Sequence, residues 1–153
     1  MIPLSLRKIC KMKIYLLLIL VFLQNTTNAN SQNGKILEKS PYVIADSSLS
    51  KIEKSIPNAR TLTGKVDFYK IVYLSDGLKV TGYMAVPKKA GKYPCVIVNR
   101  GGNRNFGAWN DFTVMRFFGE VASWDYVVVG SQYRGNEGGE GKEEFGGSDV
   151  NDV

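Results

Sequence analysis

The spacing of apolar positions changes several times along this chain, and each change marks a different element. Ile14 to Leu23 (IYLLLILVFL) is an uncharged run of ten residues, too short to cross a bilayer comfortably. Residues 30–45 show no period and read as a flexible leader. In SSLSKIEKSIP (47–57), Leu49, Ile52 and Ile56 fall on one helical face, and Pro57 would end that short helix.

Beyond it the period shortens to two. KVDFYKIVYLS alternates around Phe68, Ile71 and Tyr73, Asp76-Gly77 marks a turn, and LKVTGYMAVP continues as a second strand, the signature of an antiparallel hairpin. CVIVN, containing Cys95, is apolar without alternation, as expected for a strand buried on both faces. DFTVMRFFGEVASW then returns to helical spacing, with Phe112, Met115, Phe118 and Ala122 on one stripe and Asp111 near the helix start. DYVVVGSQ is a second continuous apolar strand. Strand, loop, helix, strand is a βαβ unit, so the two apolar strands are expected to be parallel with a right-handed crossover.

Charge refines this picture at the N-terminus. Arg7, Lys8, Lys11 and Lys13 precede the apolar run without an acid, and QNTTNAN follows it with Thr27 and Ala29 at small-residue positions. Residues 1–29 therefore read as a signal peptide cleaved near Ala29, directing a secreted or periplasmic protein; an uncleaved anchor or a buried helix is the alternative. Met12 could equally be the start, and Cys10 lies before the apolar run. Without residues 1–29 the chain keeps 16 basic against 14 acidic residues, a net charge of +2 in place of +6. No basic face remains to argue for nucleic acid, and no stable membrane anchor is expected after cleavage.

The chemistry is narrowed by what the composition lacks. There is no histidine, which excludes a complete Ser-His-Asp or Cys-His arrangement within these residues and makes a metal site unexpected. Cys95 would be the only cysteine after cleavage and reads as a small buried hydrophobe. The glycine-rich stretch SQYRGNEGGEGKEEFGG (131–147) fails both phosphate-loop patterns. A loop ending Gly141-Lys142 would need glycine at Asn136 and Ser or Thr at Glu143, and a dinucleotide fingerprint would need glycine at Glu144. Glu137, Glu140, Glu143 and Glu144 would also repel phosphate. No cofactor is expected.

Two loops follow the C-terminal ends of the apolar strands, where open α/β sheets build their sites. NRGGNRNFG offers backbone N–H groups unshielded by side chains, suited to a developing oxyanion if the loop is rigid; a glycine-rich turn without chemistry is the alternative.

The run SDGLKVTGYMAVPKKAGKYPCVIVNRGGNRNFG, a helix, and YVVVGSQYRGNEGGEGKEEFGGSDVNDV together resemble the first half of the catalytic domain of prolyl-oligopeptidase-type serine peptidases, over residues 66–153. The resemblance implies an α/β class with an α/β-hydrolase-like sheet, an antiparallel N-terminal hairpin leading into parallel strands with crossover helices, and a truncated fold. The implied organisation is a signal peptide at 1–29, a leader with a short helix at 30–60 and the hydrolase part at 61–153.

The resemblance also implies roles. Arg100-Gly101-Gly102 takes the place of the family's His-Gly-Gly or Tyr-Gly-Gly, so Gly102 is implied as an oxyanion-hole donor, with Gly101 allowing close approach. Arg100 departs from the family pattern. Arg134-Gly135 matches an Arg-Gly whose arginine ties its loop to the next helix, with Asp149 or Asp152 as partner. The family's nucleophile lies in a Gly-x-Ser-x-Gly elbow, which does not occur in this sequence. The expected function is therefore a truncated secreted serine hydrolase whose complete form cleaves peptides or esters, inactive alone. A non-catalytic secreted binding or structural module, or a pseudogene-like remnant, is the alternative.

Overall fold

The computed structural model describes residues 32–153. The expected signal peptide, its cleavage near Ala29, and Cys10 lie outside the described residues.

The described chain is a mixed α/β structure built on one five-stranded sheet. Strands β1 (Ile36–Pro41), β2 (Val66–Ser75), β3 (Leu78–Pro87), β4 (Cys95–Ile97) and β5 (Val127–Ser131) are ordered β1-β2-β3-β5-β4. The first three run antiparallel to their neighbours, β3 pairs antiparallel with β5, and β4 and β5 are parallel. Ser75 faces Leu78 across the β2–β3 hairpin. The turn residues Asp76 (φ 50°) and Gly77 (φ 79°) both adopt the left-handed conformation that matches strand twist in a two-residue turn.

Three helices cover one face of the sheet. They are α1 (Asp46–Ile52), α2 (Ala59–Lys65) and α3, which spans residues 111–122 with a π turn at Val114–Gly119. Leu49 and Ile52 of α1, Leu62 of α2, and Met115 and Phe118 of α3 pack on Phe68, Ala85 and Val128 of the sheet. Thr81, Tyr83 and Ala85 of β3 share that face with their β2 partners Val72, Lys70 and Phe68, whereas Ile71, Tyr73 and Ser75 point to the other. The second face is closed by the chain after β5: Tyr73 Oη donates to the Asp152 carbonyl, and Ser75 Oγ donates to the Asn151 carbonyl at 3.1 Å.

Several expectations from sequence are set against the structure here. The leader 30–45 is not structureless: Ile36–Pro41 forms β1, whose exposed residues pair antiparallel with β2, with Lys39 lying over the Tyr69 ring. Past Pro57 a further helix, α2, starts at Ala59, and its Ala59 and Leu62 bury on the core despite Gly64 near the helix end. Phe112 is not on the buried stripe of α3. The π turn has more than 3.6 residues per turn, so the face read at helical spacing drifts, and Phe112 is 38% exposed while Met115 and Phe118 are fully buried. Asp111 does open α3, and the cap before it is Asn110, whose side chain accepts from the Phe112 and Thr113 N–H groups while its own N–H donates to Thr113 Oγ1.

The strand expected to be buried on both faces is an edge strand. Cys95 is exposed and Ile97 is 59% exposed, because the helices cover only one face of β4 and no other described element covers the second. The near-continuous apolar run misled because it is shared by strands at the centre and at the margin of parallel sheets.

Candidate functional site

The parallel pair β4–β5 delivers two loops to the same end of the sheet. Residues 98–110 follow β4 and residues 132–147 follow β5, and the two are locked together by side chains that run between them. Val98 N–H still bonds to the Val129 carbonyl at 2.8 Å, so the first loop leaves directly from the strand.

Arg100 stands at the root of the glycine loop and is completely buried, with no exposed side-chain surface. Its guanidinium donates to the Gln132 carbonyl from Nε (3.2 Å) and Nη2 (3.0 Å), to the Phe106 carbonyl from Nη1 (3.2 Å), and to Glu143 Oε2 from Nη2 (3.0 Å). The Tyr133 ring stacks under it, 5.1 Å from its centroid. Arg100 therefore spans the inside of its own loop and fastens it to the loop after β5. A guanidinium can make all these bonds at once because its donors are fixed in one plane.

Gly102 sits in the left-handed region (φ 87°), and a Cβ there would fall on the Phe106 carbonyl oxygen. Gly107 (φ 77°) closes the loop so tightly that a Cβ would fall on the Gly101 carbonyl oxygen. Gly101 is different: it is exposed, and a Cβ added to it would meet open space. Among the described residues no acceptor takes the N–H of Gly101 or Gly102. The loop is thus wound rigidly with two adjacent backbone donors left available, the property an oxyanion site requires.

Arg134 and Gly135 lie in the second loop. The Arg134 guanidinium grips Asp152 in two-pronged fashion, with Nη2 to Oδ1 at 2.7 Å and Nε to Oδ2 at 3.1 Å, and the Arg134 N–H donates to Asp152 Oδ2 at 2.7 Å. Nη2 also reaches Asp76 at 2.9 Å in the β2–β3 turn. The bonds from Asp152 and Asp76 raise the Arg134 pKa further above its ordinary value. The hydrogen bonds from Asn151 and Arg134 hold Asp76 below the usual carboxylate range. Asp149 does not pair with Arg134. It accepts from Phe145 N–H (3.1 Å) and Gly146 N–H (3.2 Å), shaping the turn before the 3-10 segment Ser148–Asp152. Gly135 (φ 76°) is packed against the backbone at Gly141 and Lys142, where a side chain would not fit.

Three clefts open around these loops. One of about 340 Å³ lies between the glycine loop and α3, walled by Gly101, Gly102, Phe106, Trp109 and Phe117. Another of about 330 Å³ lies on the other side of Gly102, against Tyr133, Phe145 and Asp149. The largest, about 550 Å³, is lined by Tyr42, Lys51, Tyr83, Trp109, Asp111 and Glu137, and shares Trp109 with the first. Trp109 is held there by its N–H to Gln132 Oε1 (2.9 Å) and its indole Nε1–H to the Ser131 carbonyl (2.8 Å).

Sequence reasoning missed the carboxylates of this region. Glu137, in the left-handed conformation (φ 50°), accepts from Lys70 Nζ at 2.8 Å, Tyr83 Oη at 2.7 Å and Gln132 Nε2 at 2.8 Å. Burial alone would raise its pKa, but these three donors outweigh it and hold the carboxyl below its usual range. Tyr42 donates to Asp111, and burial together with that carboxylate pushes the Tyr42 pKa up, so it stays a donor. Burial, then Glu137, does the same for Tyr83. The only available signal was the glutamate-rich composition of 137–144, which says nothing about inward-facing partners. Among the described residues no cluster of His, Cys, Asp or Glu is suited to a metal ion, and no helix is long and apolar enough to cross a membrane.

No family model matches the sequence. The chain is 41% identical over 88 residues to the uncharacterised peptidase YtmA of Bacillus subtilis (strain 168), a match that takes in 58% of this chain and 33% of YtmA. The chain therefore spans about one third of the curated relative it matches, and it is related in sequence to a protein described as a peptidase, that is, a hydrolase. Among solved structures, acetyl xylan esterase 1 from Thermoanaerobacterium sp. JW/SL YS485 is similar over 81% of this chain and 34% of its own, with a TM-score of 0.47 and 18% identity.

Proposed function

We propose that residues 66–153 form the oxyanion-hole half of an exported serine hydrolase of prolyl-oligopeptidase type, with the α/β-hydrolase fold and peptides or esters as substrates. The observation that carries this reading is the glycine loop at the C-terminal end of β4, where Gly101 and Gly102 hold two unengaged N–H groups in a loop closed on itself. The relationship to a peptidase supports it.

In such a reaction a serine hydroxyl adds to the carbonyl carbon and the carbonyl oxygen becomes negative. Backbone donors already aimed at that oxygen stabilise the tetrahedral intermediate, because they need not reorganise as charge develops. This chain supplies the donors and the wall. These 153 residues hold no histidine and no Gly-x-Ser-x-Gly elbow, so the role proposed for them is confined to the donors and the wall.

The test is a chimera in which the 88 matched residues of YtmA are replaced by those of this chain. A fluorophosphonate probe should label YtmA and the folded chimera at one serine, and should label no serine of the 153-residue chain alone. Gly101→Ala, which the loop accommodates, should slow labelling of the chimera without lowering its thermal midpoint. A folded chimera that stays unlabelled while YtmA is labelled would overturn the reading. Export is checked separately by mass spectrometry of secreted material, whose N-terminus should lie near Asn30.

A further inference from the structure

We infer that Glu143 is a positioning residue that sets the direction of the Gly101 and Gly102 donors through Arg100. The inference rests on the oxyanion role proposed above and adds to it the residue that aims the loop.

The geometry is specific to one atom. Glu143 Oε2 gathers three donors: Arg100 Nη2 at 3.0 Å, the Arg104 N–H at 2.7 Å and Asn136 Nδ2 at 2.7 Å. One donor lies at the root of the glycine loop, one beyond Gly102, and one in the facing loop after β5. The carboxylate is therefore the common anchor of Arg100 and Arg104, the residues that bracket Gly101 and Gly102. Arg104 has a left-handed backbone (φ 52°), a conformation a long side chain does not adopt by preference, and the bond to Glu143 holds its N–H in place.

Burial makes the arrangement stiff. The Arg100 and Glu143 side chains are 0% and 3% exposed, so neither charge can turn to water if its partner is lost. A pair meant only for stability could sit anywhere between the two loops. This one instead joins the two ends of a short segment whose middle carries free N–H groups, and Arg100 also holds the Phe106 carbonyl against which Gly102 is packed. Movement of the carboxylate by a fraction of an ångström is passed to Arg104 N–H directly and to Phe106 through Arg100. A displacement of about 1 Å at a reacting centre is enough to slow chemistry roughly a hundredfold.

The test compares Glu143→Gln with the double variant Arg100→Met/Glu143→Met in two settings. In the 153-residue chain, amide hydrogen exchange should show Arg104 and Phe106, whose N–H groups are bonded to Glu143 and to the Asn103 carbonyl, exchanging at least about tenfold faster in Glu143→Gln while β2 and β3 amides keep their protection. The double variant removes both buried charges and should recover the thermal midpoint without recovering the protection of those loop amides. In the YtmA chimera, Glu143→Gln should lower the maximal fluorophosphonate labelling rate about tenfold or more, with half-saturation little changed. Uniform loss of protection across the sheet, or loop protection that returns with stability in the double variant, would make Glu143 merely structural and overturn the inference. A parent chimera that is never labelled removes the proposed hydrolase role instead, and the exchange experiment still decides whether Glu143 orders the loop.

Discussion

At the scale of single residues, charged side chains here act as fasteners between loops, and their ionisation is tied to folding. Glu137 is the clearest case. Its carboxylate is bonded to Lys70, Tyr83 and Gln132 in the native state, and those bonds outweigh the burial that opposes charge, so its folded pKa lies below the ordinary value near 4.5. A carboxyl with a depressed folded pKa gives its full stabilisation above the unfolded value, and that stabilisation is lost as pH falls through the folded value. We therefore predict that thermal stability declines below about pH 4.5 and that Glu137→Gln flattens this acid limb. Melting curves between about pH 3 and pH 7 check it, since the variant should be less stable than the parent at pH 7 and should converge with it at the acid end. An unchanged acid limb in Glu137→Gln would show that other carboxylates, such as Asp76 on Arg134, govern acid unfolding.

At the scale of elements, close approach of backbones decides where helix and sheet meet. Gly130 in β5 lies under Phe118 of α3: a methyl group there would stand 2.6 Å from Phe118 Cζ and 2.8 Å from the Val98 carbonyl oxygen. Val98 opens the loop after β4, so neither contact can yield without moving α3 or the glycine loop. Gly64, near the end of α2, has open space around it and no left-handed requirement. Gly130→Ala should therefore cost about 1–3 kcal/mol through overpacking, whereas Gly64→Ala should gain about 0.5–1 kcal/mol from helix propensity. Urea unfolding of the two variants measures both signs, and equal effects would refute the packing argument.

The same scale shows what the sequence could tell. The turn at Asp76-Gly77 is legible because two left-handed positions in a two-residue connection restrict the residue types sharply. The parallel pair β4–β5 is legible because a helix of this length between two apolar strands leaves few other topologies. β1 escaped because an edge strand with every residue exposed leaves no apolar alternation to read. The drift of Phe112 escaped because a π turn breaks the period on which the stripe was read. In the candidate site, the glycine loop at Gly101 and Gly102 could be singled out from glycine chemistry, whereas Arg100 and Arg134 could be singled out through the family resemblance. Glu143 and Glu137 could not, because their partners lie 43 and 67 residues away at Arg100 and Lys70 and exist only once the sheet has formed.

At the scale of the whole molecule, the apolar surface is distributed unevenly. The helix-covered face of the sheet is closed, while the outer strand β4 presents Ile97 at 59% exposure, with Cys95 also exposed, and the neighbouring loops present Phe106 at 81% and Phe145 at 70%. An edge strand with unpaired backbone groups and apolar side chains beside it is a template for association with other chains. Charge works against association only weakly here, since the part of the chain from residue 30 onward carries a net +2. We predict that residues 30–153 self-associate as concentration rises and that Ile97→Lys suppresses this without lowering the thermal midpoint, because the Ile97 side chain contributes little to the core it faces away from. Sedimentation velocity over a concentration series would show the shift in the parent and its loss in the variant. Maleimide labelling of Cys95 gives the residue-level readout: the thiol should react readily in dilute native protein and become protected as the parent associates, but not in Ile97→Lys. If Cys95 stays equally reactive while the parent associates, the contact lies elsewhere, and β4 is not the edge that recruits a second chain.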